Sequence, residues 1–128
     1  MVKQAKIFVL DKDNEYSAIF SGTVEDAQGG YYVRYDDGDG TECVIGYSKG
    51  IATVTRTKDP IYTVILEENC PHAFDIITPF GNIEAVAHPV TVKSRTRGNV
   101  RTISLVYDLM IGKEKFRHEL KLKIEEEK

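Results

Sequence analysis

Arg56 is the residue in this chain with the most to explain. It ends the run Ile51-Ala52-Thr53-Val54-Thr55-Arg56, in which Ala52, Val54 and Arg56 alternate with Ile51, Thr53 and Thr55. If this run is a strand with Ala52 and Val54 facing inward, the guanidinium points inward too, because successive side chains take opposite faces. A buried, unpaired cation is costly and needs a carboxylate or an anionic ligand. Two readings stay open. Arg56 either grips a ligand carboxylate or phosphate through paired N–H bonds, or sits at a rim beside a structural acid. Tyr31, Tyr35 and Tyr107 would offer hydroxyls to the same ligand if they line a cavity; otherwise they fill the interior of a small barrel.

Other reactive residue types are present in patterns that favour structural roles. Cys43 and Cys70 form no Cys-x-x-Cys pair, and Cys43 alternates with Thr41 and Ile45 as a core residue would. Both cysteines are expected to be reduced. A nucleophilic cysteine would need a base brought from another strand. His72, His88 and His118 fall on three different expected strands without metal-ligand spacing, so no metal and no cofactor is expected. Asp36-Asp37-Gly38-Asp39-Gly40 lacks the twelve-residue frame and terminal glutamate of an EF-hand, and reads as a hairpin loop. Lys93-Ser94-Arg95-Thr96-Arg97 reads as a loop able to touch phosphates. No aromatic lies between Phe80 and Tyr107 to stack a base, which argues against nucleic acid. No Gly-x-Ser-x-Gly or P-loop occurs, and the carboxylates fall mostly in turns, so no catalytic residue is assigned.

The elements that must hold these residues are marked by their turns. Gly29-Gly30, Asp39-Gly40, Lys49-Gly50, Asp59-Pro60, Asn69-Cys70-Pro71, Gly81-Asn82, Gly98-Asn99 and Gly112-Lys113 recur about one strand apart. Gly-Asn and Gly-Lys suit type II′ hairpins, whose first central residue needs positive φ. Connections this short join antiparallel neighbours. The chain therefore reads as an all-β, antiparallel up-and-down meander that closes into a barrel, one domain over residues 1–128.

Alternation fills in the strands. Ile103, Leu105, Tyr107, Leu109 and Ile111 share one face of the clearest strand. Ile61–Glu67 is apolar on both faces, which predicts deep burial. Ile83, Ala85 and Ala87 keep one phase while Val90 and Val92 keep the other, and Pro89, which has no ladder N–H, predicts a bulge at the change. The segment from Glu114 to Glu125 has helical composition. It is nevertheless read as a strand, because Phe116, Leu120, Leu122 and Ile124 share one parity and the Gly112-Lys113 hairpin needs a partner. The chain is long enough for a core without disulfide or metal staples. It has no apolar run approaching a membrane span, and only Ile7 to Leu10 follow the first basic residues, too few for a secretory signal. A cytoplasmic location is expected. The formal net charge is −3, with basic residues concentrated from Lys93 to Lys123 on strands a meander would place side by side.

From Tyr31 onward the chain resembles a bacterial family, the YwiB-like domain of unknown function. The resemblance rests on Tyr31 to Asp37, the Ile51 to Arg56 strand, the turn Thr78-Pro79-Phe80-Gly81, the Gly98-Asn99-Val100 start and the strand from Ile103 to Asp108. Lys58 stands where the family often has glycine. The resemblance implies a calycin (lipocalin-like) barrel of about eight to ten strands, and it brings no activity or site residue with it.

These readings lead to a non-enzymatic barrel that binds a small, partly apolar anionic ligand, with Arg56, Tyr35 and Tyr107 as the ligand-binding residues. The alternative is an interaction module with a filled barrel. Its partner would be a protein, a second copy through an outward apolar patch including Ile19, Val106 and Met110, or RNA through the basic C-terminal strands.

Overall fold

The computed structural model describes the chain except Met1, residues 12–15, Gly38, Asp39, Asp59 and Lys128, and describes Tyr16 by its backbone alone. Ten strands follow one another: β1 (Val2–Asp11), β2 (Tyr16–Ala27), β3 (Gly30–Asp36), β4 (Glu42–Ser48) and β5 (Ile51–Thr57), then β6 (Ile61–Glu67), β7 (His72–Thr78), β8 (Gly81–Arg97), β9 (Val100–Ile111) and β10 (Glu114–Glu126). Each pairs antiparallel with its chain neighbours, and β10 returns to β1 through seven ladder pairs from Ala5↔Glu126 to Asp11↔Leu120. The meander is thus a closed barrel, and β10 is a strand.

Turn chemistry explains the hairpins. Gly98 and Gly112 have φ of 62° and 61° while their followers Asn99 and Lys113 do not, as a type II′ turn requires. Lys49 and Gly50 are both positive, at 50° and 83°, the type I′ arrangement. Two turns sit earlier than the glycine pairs indicate. Gln28-Gly29 forms the β2–β3 tip, and Gly30 already pairs with Ala27. Pro79-Phe80 forms the β7–β8 tip in place of Gly81-Asn82, because the Thr78 hydroxyl accepts the Phe80 N–H and donates to the Gly81 carbonyl. The Asp39-Gly40 and Asp59-Pro60 turns include Asp39 and Asp59, which lie outside the described residues.

β8 bends where proline demanded it. Pro89 pairs with Tyr107 and Thr91 with Val106, leaving Val90 as the extra residue of a bulge. Inward positions shift from Ala85 and Ala87 to Val92, while Val90 itself is exposed. β6 departs from expectation. Tyr62, Val64 and Leu66 face the core, but Ile61 and Ile65 are about two-fifths exposed, at 42% and 41%. Its outer face meets solvent, so an apolar outer parity did not mean a covering layer. β6 and β7 share one ladder pair, Ile61↔Ile77, and then diverge.

The odd-numbered hairpins (β1–β2, β3–β4, β5–β6, β7–β8, β9–β10) collect at one end of the barrel and the even-numbered ones at the other. The fully buried core comprises Ile7, Val24, Val33, Ile45, Leu66, Ile103, Leu105, Leu122 and Ile124, with Val64 beside them. Gly22 belongs to its tightest part: a methyl group there would collide with Ile7 Cδ1 and the Arg34 carbonyl. No described helix is long and apolar enough to cross a membrane, which says nothing about crossing by strands.

Candidate functional site

Toward the odd-hairpin end the interior changes from aliphatic to aromatic, and it opens. Phe20, Tyr35, Tyr62, Phe74, Tyr107 and Leu120 pack against the core while remaining partly accessible. Two adjoining hollows of about 380 and 350 Å³ lie there, sharing Asp11, Val54, Arg56, Tyr62 and Leu120 as common walls. The first also holds Phe20, Tyr35, Asp37 and Cys43; the second holds Phe74, Tyr107 and His118. The aromatic walls brace one another. Phe20 stacks on Tyr35 at 5.2 Å, Tyr107 on His118 at 5.3 Å, and Tyr62 tilts against Phe74 at 6.1 Å.

Arg56 occupies the wall between the hollows, facing inward as its parity required. Its Nη1 donates to Asp37 Oδ2 at 3.1 Å, and the two side chains are 27% and 18% exposed. The arginine is thus near the rim and has an acid beside it, as the second of the two readings describes. Its Nε, however, is buried with no hydrogen-bond partner among the described residues. Burial raises the Tyr35 phenol well above its ordinary value, with the hydrogen-bonded Cys43 thiol adding to the effect. Tyr62 is raised by burial as well, against the opposing pull of Arg56. The Cys43 thiol is also pushed up, chiefly by burial. A nucleophilic cysteine needs the opposite shift, so Cys43 serves as a neutral wall beside the Arg56–Asp37 ion pair, with the Asp11 carboxylate on the shared wall.

The remaining sequence-stressed residues go elsewhere. Tyr31 is buried toward the even-hairpin end, its hydroxyl 2.6 Å from Ser94 Oγ and its ring 4.6 Å under the Arg101 guanidinium. It fills the barrel and lines neither hollow. Arg101 Nη1 donates to Asp26 Oδ1 at 2.7 Å, and Nη2 makes a 2.7 Å ion contact with Glu126 Oε1. That cluster lowers Asp26 and raises Arg101, through their mutual hydrogen bond first of all. Residues 93–97 are the last strand residues of β8 and not a loop, with Ser94 turned to Tyr31. The basic flank is partly neutralised: Arg117 grips Asp108 through Nε and Nη2, at 2.8 and 3.1 Å. Of the outward patch, Ile19 is 66% exposed and Val106 and Met110 are half-buried. Gly38 and Asp39 of the acidic loop lie outside the described residues.

One grouping escaped the sequence reading. Glu67, Cys70 and His72 bring one potential metal-ligand atom each to within 4.8 Å of one another. The signal was there: Cys70-Pro71-His72 puts a thiol and an imidazole two residues apart, across a turn that folds back on Glu67.

A ring of ten antiparallel strands, packed solid in one part and hollow in the other, is a lipocalin-like barrel. The chain belongs to the family described as "Domain of unknown function (DUF1934)", whose model matches residues 2–124. It is similar to the ywiB protein from Bacillus subtilis, whose crystal structure matches with a TM-score of 0.76 at 16% identity, over 99% of this chain and 92% of that one. That likeness shows the fold the resemblance implied. No curated protein matches, and the family brings no catalytic assignment.

Proposed function

We propose that this protein is a non-catalytic, cytoplasmic binding protein that takes a small, partly apolar anion into the aromatic end of its barrel. The observation that carries the reading is Arg56: a guanidinium between two hollows, one N–H committed to Asp37 and the buried Nε–H without a partner among the described residues. A carboxylate, sulfonate or phosphate oxygen accepting from Nε would satisfy that donor. Phe20, Tyr62, Phe74 and Leu120 supply apolar contact for the rest of the molecule, while Tyr35 lines the first hollow and Tyr107 the second. Each hollow exceeds the roughly 300 Å³ at which small-ligand sites begin.

Native mass spectrometry of gently purified protein, with anilinonaphthalene sulfonate as a fluorescent apolar anion, tests it. Wild-type protein is expected to carry a co-purifying small mass or to bind the dye at one site. Arg56→Met should weaken dye binding by tenfold or more, since a hydrogen bond to a charged group is worth about 1.5–3 kcal/mol. Equal dye affinity in wild type and Arg56→Met, or no mass and no dye binding in wild type, ends the proposal.

A further inference from the structure

At the far end of β6 from Tyr62, the chain makes a turn that the barrel ladder does not explain. Beyond Ile61↔Ile77, β6 and β7 diverge, and only an isolated Glu67↔Cys70 bridge precedes β7. The turn is nevertheless fixed. Cys70 N–H donates to the Glu67 carbonyl at 3.0 Å, and Asn69 takes the left-handed conformation, φ 61°, that asparagine tolerates. Asn69 N–H donates to the Pro89 carbonyl at 3.3 Å, and the Glu68 carboxylate accepts the Val92 N–H at 2.9 Å. The β8 bulge therefore holds the turn from both sides, and the turn holds out three donors: the Glu67 carboxylate, the Cys70 thiol and the His72 imidazole.

We infer that Glu67, Cys70 and His72 form a site for a zinc-class divalent ion. The ligand atoms lie within 4.8 Å of one another. Tetrahedral sulfur, nitrogen and oxygen donors at zinc distances are about 3.3–3.7 Å apart, so small side-chain rotations close the set. A second observation points to the same place: His72 Nε2 is buried and has no hydrogen-bond partner among the described residues. One sulfur, one nitrogen and one carboxylate oxygen suit Zn2+, whereas Ca2+ and Mg2+ require oxygen donors throughout. On binding, the Cys70 thiol gives its proton to solvent and the thiolate takes the metal, His72 coordinates as neutral imidazole, and water fills the fourth position. The ion would clasp the end of β6 to the start of β7, the opposite end of this pair from its single rung, Ile61↔Ile77. This site is independent of Arg56, which lies at the other end of β5 and β6.

The test uses the full chain and Co2+ as a spectroscopic stand-in for Zn2+. One equivalent should bring up thiolate-to-cobalt charge-transfer absorption and tetrahedral d–d bands, and Zn2+ should displace it. Cys70→Ser and His72→Gln should each weaken binding by at least about tenfold, since even outer-shell changes cost 10–100-fold; His88→Gln should not. In the unsubstituted protein, where no variant can misfold, saturating Zn2+ should protect Cys70 from alkylation and leave the Cys43 rate unchanged. No thiolate band, unprotected Cys70, or Cys70→Ser binding Co2+ as the wild type does would each overturn the site.

Discussion

The two ends of this barrel are built from the same three residue types and finished differently. Toward one, Arg101 is paired with Asp26, touches Glu126 and covers the Tyr31 ring; its side chain is 12% exposed. Toward the other, Arg56 is paired with Asp37 beside Tyr35, with its buried Nε–H unpaired among the described residues and open space on either side. The Glu126 contact and the Tyr31 face make the first arginine a plug. An arginine with its needs met adds stability, and one with a need unmet adds affinity for whatever meets it.

The sharpest way to break this comparison is through Leu105 and Leu120, which are ladder partners on β9 and β10. Leu105 is wholly buried and Leu120 borders the hollows. Leu105→Ala should cost about 3–5 kcal/mol in urea unfolding and Leu120→Ala about 1–2, because a side chain beside a void has fewer contacts to lose. Equal losses would mean that the aromatic end is filled in solution. Next in size is Arg101→Met, expected to cost about 2–3 kcal/mol, discounted for the exposure of Asp26. Arg56→Met should cost about 1 kcal/mol while changing ligand uptake, the reverse ranking from Arg101.

A smaller effect appears at alkaline pH. The folded state holds Tyr35, Tyr62 and Cys43 in their protonated forms, because burial raises all three. Their contribution is therefore complete below the ordinary thiol and phenol values of 9.0 and 10.0 and is lost as pH rises beyond them. Tyr35→Phe should make the decline in stability above pH 10 shallower, measured by urea unfolding at stepped pH. An unchanged slope would show that Tyr35 reaches water freely.

Much of this was legible in the sequence, along one axis. Alternation identifies which side chains point inward, and it did so for Arg56, for Leu122 and Ile124 on β10, and across the Pro89 bulge. It is silent about position along the barrel axis. Tyr31 and Tyr35 share a parity on β3, yet four residues of strand separate them by roughly 13 Å, enough to send one to the plug and the other to the hollow. Arg101 was invisible for the same reason, since its partners Asp26 and Glu126 come from β2 and β10. β6 misled because isoleucine suits a strand on either face. The Glu67, Cys70 and His72 group was hidden by a search for histidines with one another, when the partner of His72 was a cysteine two residues away.

The single rung between β6 and β7 has a topological consequence. The first and last strands in chain order, β1 and β10, are zipped by seven pairs, so the true margins of the curved sheet lie in mid-sequence. Unrolled, the molecule is a ribbon running from β7 through β10 and β1 to β6, and it would split lengthwise along that margin before any other line gave way. Amide protons of β6 and β7 that face the margin should trade with deuterium first.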